Sequence, residues 1–346
     1  MLKLTLKQIA AALIIGTAAA TGAHAQEPIT LKVHHFWPPQ AMPPSKMLAP
    51  WCDKIAQESN NRMKCQIFPA MQLGGTPPQL FDQAKDGVAD IVFTLPGYTA
   101  GRFPIMEVFE LPFMTNSAEA GAKAAWEFYN KHAQKEFAAV KPLAFAVHDE
   151  GYIHSREKQI KTMADFKGLK FRAPTRSSNK LLAALGATPV AMPLPQVGEA
   201  VSKGVIDGFL LPWEVVPPGK LHEMVKFHTE TDSKRGALYT SVFVLAMNTA
   251  RYNSLPADLK AIIDRNSGAA LSAQMGKLWD ESQAAGRKPA QDRGNTFYTI
   301  PAAELDGWAS ITSALYDEYV ANMDKAGLPG KQMLQDARDL LKKNAK

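Results

Sequence analysis

The residue in this chain best suited to grip an anion is Arg172. It stands in Leu169-Lys-Phe-Arg-Ala173, a short strand-like run that Pro174 ends, so its guanidinium is expected near a strand's C-terminal end. There it could project into a cleft and take a carboxylate through two parallel hydrogen bonds, or it could be an ordinary arginine on a half-exposed strand. At other predicted strand exits stand Phe36, Trp37, Tyr98, Tyr152 and the pair Trp213-Glu214. Aromatic residues at such exits can wall a pocket while Tyr and Trp keep a polar atom for a guest. Taken singly each is more often core packing, so the case rests on their number. Catalytic constellations are weak. His34 and His35 are adjacent on a strand and point to opposite faces, which does not suit a shared metal. No His-x-x-x-His, Cys-x-x-Cys, Gly-x-Ser-x-Gly, phosphate-cradling loop or dinucleotide fingerprint occurs. Asp90, Asp149, Glu150 and Glu214 could converge in space, but solvated acids flanking strands are the plainer reading.

The elements that must position these residues come in two similar sets. Gln79-Leu-Phe-Asp-Gln-Ala-Lys-Asp-Gly87-Val-Ala-Asp90 and Gln196-Val-Gly-Glu-Ala-Val-Ser-Lys-Gly204-Val-Ile-Asp207 share the Gln, Gly and Asp spacing. Each reads as an amphipathic helix that stops at Gly, followed by an apolar strand that breaks at Pro96-Gly-Tyr98 or Pro212-Trp213. A β-α-β-α-β order surrounds each copy, which predicts an α/β fold of two like lobes whose loops face a common cleft. Chance agreement of two ordinary units is the alternative. Leu238 to Met247 reads as a buried strand returning to the first lobe. One long helix from Pro256 to about Ala285 is expected to brace both lobes, and the last ~50 residues read as helical.

Residues 1–25 read as an export leader: Lys3 and Lys7, an apolar run from Ile9 to Ala20, and Ala23-His-Ala25 before Gln26. The run is too short to span a bilayer, and no Cys follows the cleavage point as a lipid anchor would need. Removing Lys3 and Lys7 from the 39 basic residues leaves 37 against 33 acidic, a net of +4. The basic residues are scattered and carry no aromatic-interleaved stripe, so nucleic acid is a poor partner. Cys52 and Cys65 lie in one helix-to-strand unit. An oxidising compartment favours a disulfide between them, with two buried thiols as the alternative.

Taken together, several motifs resemble the solute-binding proteins of tripartite ATP-independent periplasmic (TRAP) transporters of the DctP-like family. They are Pro69-Ala-Met-Gln-Leu-Gly-Gly75, Gly87-Val-Ala-Asp-Ile91, Asp165-Phe-Lys-Gly-Leu-Lys-Phe-Arg-Ala-Pro174, and Asp207-Gly208 with Pro212-Trp-Glu214. The resemblance covers nearly the whole mature chain. It implies a two-lobed periplasmic binding protein with a hinge and a long helix across both lobes. The lobes would comprise 26–150 plus about 237–275, and 151–236 plus about 276–346. It implies an organic-acid ligand whose carboxylate pairs with Arg172, delivery to a membrane permease, a periplasmic location in a Gram-negative bacterium, and a monomer without cofactor, metal or enzymatic activity. Members that take sialic acid carry an Arg at about the Tyr152 position and an Asn near Leu211, and this chain has neither. Members that hold a sodium ion use Trp-Glu and a further Glu; here Tyr152 and Tyr239 stand near the other places. With Leu211, Tyr98, Tyr152 and Trp213 around Arg172, the ligand expected is a compact monocarboxylate with an aromatic or apolar body, of 2-oxo or 2-hydroxy type. A ligand sensor for a membrane kinase and, less favoured, an exported hydrolase are the rival readings.

Overall fold

The computed structural model describes residues 27–345, and the leader assigned to residues 1–25 lies outside them. Among the described residues the strands form two sheets. The first half of the chain supplies β1 (Ile29–His35), β2 (Met63–Phe68), β3 (Ile91–Thr94) and β4 (Val140–Val147). Then follow β5 (Tyr152–Ser155), β6 (Lys170–Ala173), β7 (Thr188–Ala191), β8 (Gly208–Leu211), β9 (Phe227–Thr231), β10 (Val242–Asn248) and β11 (Thr296–Ile300). One sheet has the order β2-β1-β3-β10-β4 and the other β11-β9-β5-β8-β6-β7. The helices that cover them begin with α1 (Ala49–Glu58), α2 (Leu80–Lys85), α3 (Ala118–Phe128), α4 (Arg176–Ala184) and α5 (Val197–Ser202). After β10 come α6 (Thr249–Ser254), α7 (Ala257–Arg265) and α8 (Ala269–Asp292), and after β11 come α9 (Ala302–Thr312), α10 (Ala314–Lys325) and α11 (Gly330–Asn344).

The repeated sequence is a repeated structure. β2, β1 and β3 pair in parallel in one sheet, as β7, β6 and β8 do in the other. An antiparallel strand then joins each set, β10 beside β3 and β5 beside β8. Gly87 and Gly204 sit at φ +77 and +67, the left-handed turn that ends each helix and that a side chain would disfavour. The Asp three residues on has one job in both copies. Asp90 accepts the Lys32 N–H at 2.7 Å and gives its own N–H to the Lys32 carbonyl at 3.0 Å. Asp207 does the same with Lys170, at 2.7 and 2.8 Å. This side-chain rung extends the parallel ladder and fixes where each apolar strand starts. It therefore also fixes where the Pro96 and Pro212 loops leave the sheets.

The single long helix expected from Pro256 is two helices. The chain turns at Asn266-Ser-Gly268 because tertiary contacts hold it there: the Gly268 N–H donates to Leu143 O at 2.6 Å, and the Asn266 amide donates to Glu58 Oε2 at 2.7 Å. Gly268 has φ +80, with Trp126 against it. The second helix, α8, does brace both lobes. Its Asp280 caps α3 of the first lobe, accepting from Ala118 N (2.7 Å), Glu119 N (3.0 Å) and the Ser117 hydroxyl (3.0 Å). Two turns further on, its Arg287 donates to both carboxylate oxygens of Glu230 on β9 in the second lobe. Two glycines allow this close approach. A Cβ on Gly276 would lie 2.3 Å from Ala118 O, and one on Gly286 would lie 2.4 Å from Trp213 O.

Cys52 on α1 and Cys65 on β2 are bonded, with Cα atoms 5.6 Å apart. At the other end of the chain, α11 packs on α3, where Asp336 receives Lys131 and His132. That places α11 with the first sheet rather than with the second lobe, to which residues 276–346 were assigned by sequence. β9 and β11 were not read from the sequence at all; they pair in parallel at the edge of the second sheet.

Candidate functional site

Where the two repeated units face each other, the lobes touch around a small cavity of about 30 Å³. Tyr98, from the first copy's Pro-Gly-Tyr loop, accepts the Leu194 N–H of the second lobe at 3.0 Å. Gln40 donates to Pro218 O at 3.3 Å, and Arg176 pairs with Glu107 at 2.5 Å. These contacts shut the cleft.

Arg172 lies in the wall of this cavity and is 1% exposed. β6 carries it between β7 and β8, so its stem is buried by both neighbours. Its Nε donates to Met192 O and one Nη to Leu210 O, both at 2.9 Å. Those carbonyls orient the guanidinium but do not neutralise it. Among the described residues no carboxylate pairs with Arg172. Burial presses its pKa down, and the polar side chains acting on it are Tyr98 and Tyr239; an arginine nonetheless stays charged.

Six of the eight residues chosen by sequence share this cavity: Phe36, Trp37, Tyr98, Arg172, Leu211 and Glu214. Phe36 stacks on Trp37 with ring centres 4.0 Å apart and meets Tyr98 edge-on at 5.4 Å. Trp37 continues the aromatic wall to Phe93 and Phe243. Glu214 accepts the indole N–H of Trp279 on α8 at 2.8 Å through Oε1, while Oε2 has no hydrogen-bond partner among the described residues. Burial raises its pKa to about 7. The structure places the other two residues elsewhere. The Trp213 indole packs among His154, His228 and Phe297 in the second lobe and donates to Glu230 Oε1 at 3.2 Å. Tyr152 lines a neighbouring, acid-rich cavity and donates to Glu150 Oε2 at 3.3 Å. Burial there, with Glu150 next in weight, raises the Tyr152 pKa far above its usual value.

Sequence reading missed His148, Ser241 and Phe243 in this wall and named Tyr239 only in connection with a sodium site; all four line the cavity. Three of them come from two passages of chain between the sheets that run side by side. The His148 N–H donates to Ser241 O at 3.4 Å and the Gly151 N–H to Tyr239 O at 3.2 Å. The Tyr239 and Ser241 hydroxyls are buried and have no hydrogen-bond partner among the described residues. The usable signal was the polar Tyr-Thr-Ser opening of an otherwise apolar strand segment, Leu238 to Met247.

Two α/β lobes that close on a small aromatic-walled cavity holding a buried cation are the build of a solute-binding protein. This chain belongs to the bacterial extracellular solute-binding proteins of family 7 (DctP), whose model matches residues 33–322. It is similar to a TRAP solute-binding protein from Rhodoferax ferrireducens T118 solved with copurified benzoate, at 51% identity and TM-score 0.90, covering 91% of this chain and 98% of that one. It is also similar to a marine-metagenome TRAP solute-binding protein specific for aromatic acids, solved with 3-hydroxybenzoate. There the identity is 45% and the TM-score 0.90, over 93% of this chain and 100% of that one. A third, from Bordetella bronchiseptica with bound (R)- and (S)-mandelate, is 26% identical with TM-score 0.85 over 92% and 100%. Among the described residues no helix is long and apolar enough to cross a membrane.

Proposed function

We propose that this chain is the periplasmic receptor of a TRAP transporter for a small aromatic monocarboxylate. The guest enters the open cleft, Arg172 pairs with its carboxylate, and the two lobes close over its ring before the loaded protein docks on a membrane permease. One observation carries this reading: a guanidinium that is 1% exposed, faces an aromatic cavity, and is paired with no carboxylate of the described residues. Holding an uncompensated charge away from water costs several kcal/mol, a cost that a bound anion offsets. The aromatic wall supplied by Phe36, Trp37 and Phe243 suits a ring, and the small volume disfavours a polyhydroxylated sugar acid. The benzoate and 3-hydroxybenzoate held by the two relatives point the same way, and they weight the aromatic body above a 2-oxo or 2-hydroxy group. The test is a melting-shift screen of purified protein against benzoate, mandelate, pyruvate and gluconate. Benzoate or mandelate should raise the melting temperature and gluconate should not, because a ligand that binds only the folded state stabilises by mass action. A screen in which no aromatic acid moved the transition would refute the proposal.

A further inference from the structure

A plain carboxylate brings acceptors only, yet the cavity holds acceptors of its own that Arg172 does not reach. His148 is the clearest. It is 2% exposed and stands in the wall between the Arg172 cavity and the neighbouring acid-rich cavity, lining both. Its ring meets Tyr239 edge-on at 5.2 Å and lies 6.2 Å from Phe243, both in the wall. Its Nδ1 is 2.5 Å from the Asp149 carbonyl. A carbonyl only accepts, so Nδ1 must carry the hydrogen and Nε2 must present a lone pair. Among the described residues nothing bonds to that Nε2. Burial, with the Arg172 charge adding to it, holds the imidazole neutral by lowering its pKa to about 4, although the Asp149 carbonyl opposes the shift. At neutral pH His148 is therefore a fixed acceptor. The free oxygen of Glu214 and the unpartnered hydroxyls of Tyr239 and Ser241 lie in the same wall. The two hydroxyls can donate to benzoate's carboxylate, but for the acceptor Nε2 benzoate has no donor. A ring hydroxyl has one.

We infer that His148 is a specificity residue of this site, accepting through Nε2 a hydrogen bond from a hydroxyl on the ligand's ring, so that the preferred guests are hydroxylated aromatic acids rather than benzoate itself. The inference rests on the receptor reading above and names its ligand class more closely. A site built to bond a hydroxyl discriminates strongly against an analogue that lacks it, because the buried acceptor is then left unmatched.

The experiment is titration calorimetry at pH 7.5 with benzoate and with 2-, 3- and 4-hydroxybenzoate, on the wild type and on His148→Leu and His148→Gln. For the wild type, at least one hydroxybenzoate should bind tenfold or more tightly than benzoate. His148→Leu should erase that preference, by weakening the hydroxybenzoate, by tightening benzoate, or both. His148→Gln, whose side-chain oxygen still accepts, should restore part of it. Benzoate binding as tightly as all three isomers would overturn the inference, as would a preference that survives in a folded His148→Leu protein. Either result would leave the receptor reading intact. Should none of the four acids bind the wild type, the receptor reading fails and this inference with it. The melting temperature of each unliganded variant shows whether it folds.

Discussion

Removing the Arg172 charge tests the receptor reading most directly. In Arg172→Met an apolar side chain of similar length replaces the guanidinium, so the ligand carboxylate is left buried without its cation. Truncating one partner of a buried charge pair costs about 2–5 kcal/mol, which corresponds to a dissociation constant roughly 30-fold to 4,000-fold higher. At a ligand concentration about 1,000 times the wild-type dissociation constant, mass action stabilises the protein by about 4.1 kcal/mol. Between about half and nearly all of that gain should vanish. The unliganded protein should respond differently. Met192 O and Leu210 O each lose a 2.9 Å donor, which lowers stability by about 1–3 kcal/mol for each carbonyl left buried. Against this, an uncompensated buried charge is gone. The two effects oppose each other, so the apo melting temperature should move far less than the ligand-induced shift. Calorimetry with benzoate, or with a hydroxybenzoate, and melting curves with and without it read both quantities. A folded variant that binds within threefold of the wild type would refute the reasoning, because the guest would then be held by something other than this cation.

Three further outcomes are expected. Glu110 is buried, with Glu107 nearby, and its pKa is pushed up to about 8. A carboxyl raised above its unfolded value of 4.5 stabilises the fold at low pH, and that contribution is lost as pH climbs from about 4.5 towards 8. Glu110→Gln should therefore melt higher than the wild type at pH 8 and converge with it near pH 4, and a constant offset across that range would count against the cause given. Replacing Cys52 and Cys65 by Ala frees a short loop and should cost about 3 kcal/mol in the chain-entropy account, read as a lower melting temperature. Ligand affinity should not change, because neither residue lines the cavity; a large loss of affinity would contradict that placement. Gly286→Ala drives a methyl to within 2.4 Å of Trp213 O, a clash with backbone that should cost about 1–3 kcal/mol and loosen α8 from the second lobe. Unchanged stability and affinity would show that α8 yields there without consequence.

Much of this architecture was legible because the chain repeats itself. The Gln, Gly and Asp spacing marks a helix end and a strand start in both copies, and Asp90 and Asp207 prove to be the same backbone clamp. Arg172 was legible because Pro174 marks the strand's end. What escaped reading depends on contacts distant in sequence. The break between α7 and α8 follows from Leu143 and Glu58 reaching the chain at 266–268, a tertiary effect that helical periodicity does not carry. β9, as Phe-His-Thr-Glu-Thr, is too polar to signal a strand, and its burial comes from partners on β5 and β11. Trp213 stood at the right exit, but the 3₁₀ turn at Trp213–Val215 sends its ring into the second lobe and turns Glu214 to the cavity. His148 and Tyr239 are some ninety residues apart in the chain, and only the side-by-side passages make them neighbours.

Those passages have a consequence for how occupancy is communicated. Tyr239 and His148 belong to the segments that connect the sheets, and a Cβ on Gly151 would come within 2.1 Å of the Tyr239 ring. In the receptor proposed above, a guest that pulls on Tyr239 or His148 would pull on the segments that join the two sheets. Recognition and lobe posture would then share the same atoms, with no relay of intermediate residues needed for a docking permease to sense a loaded receptor.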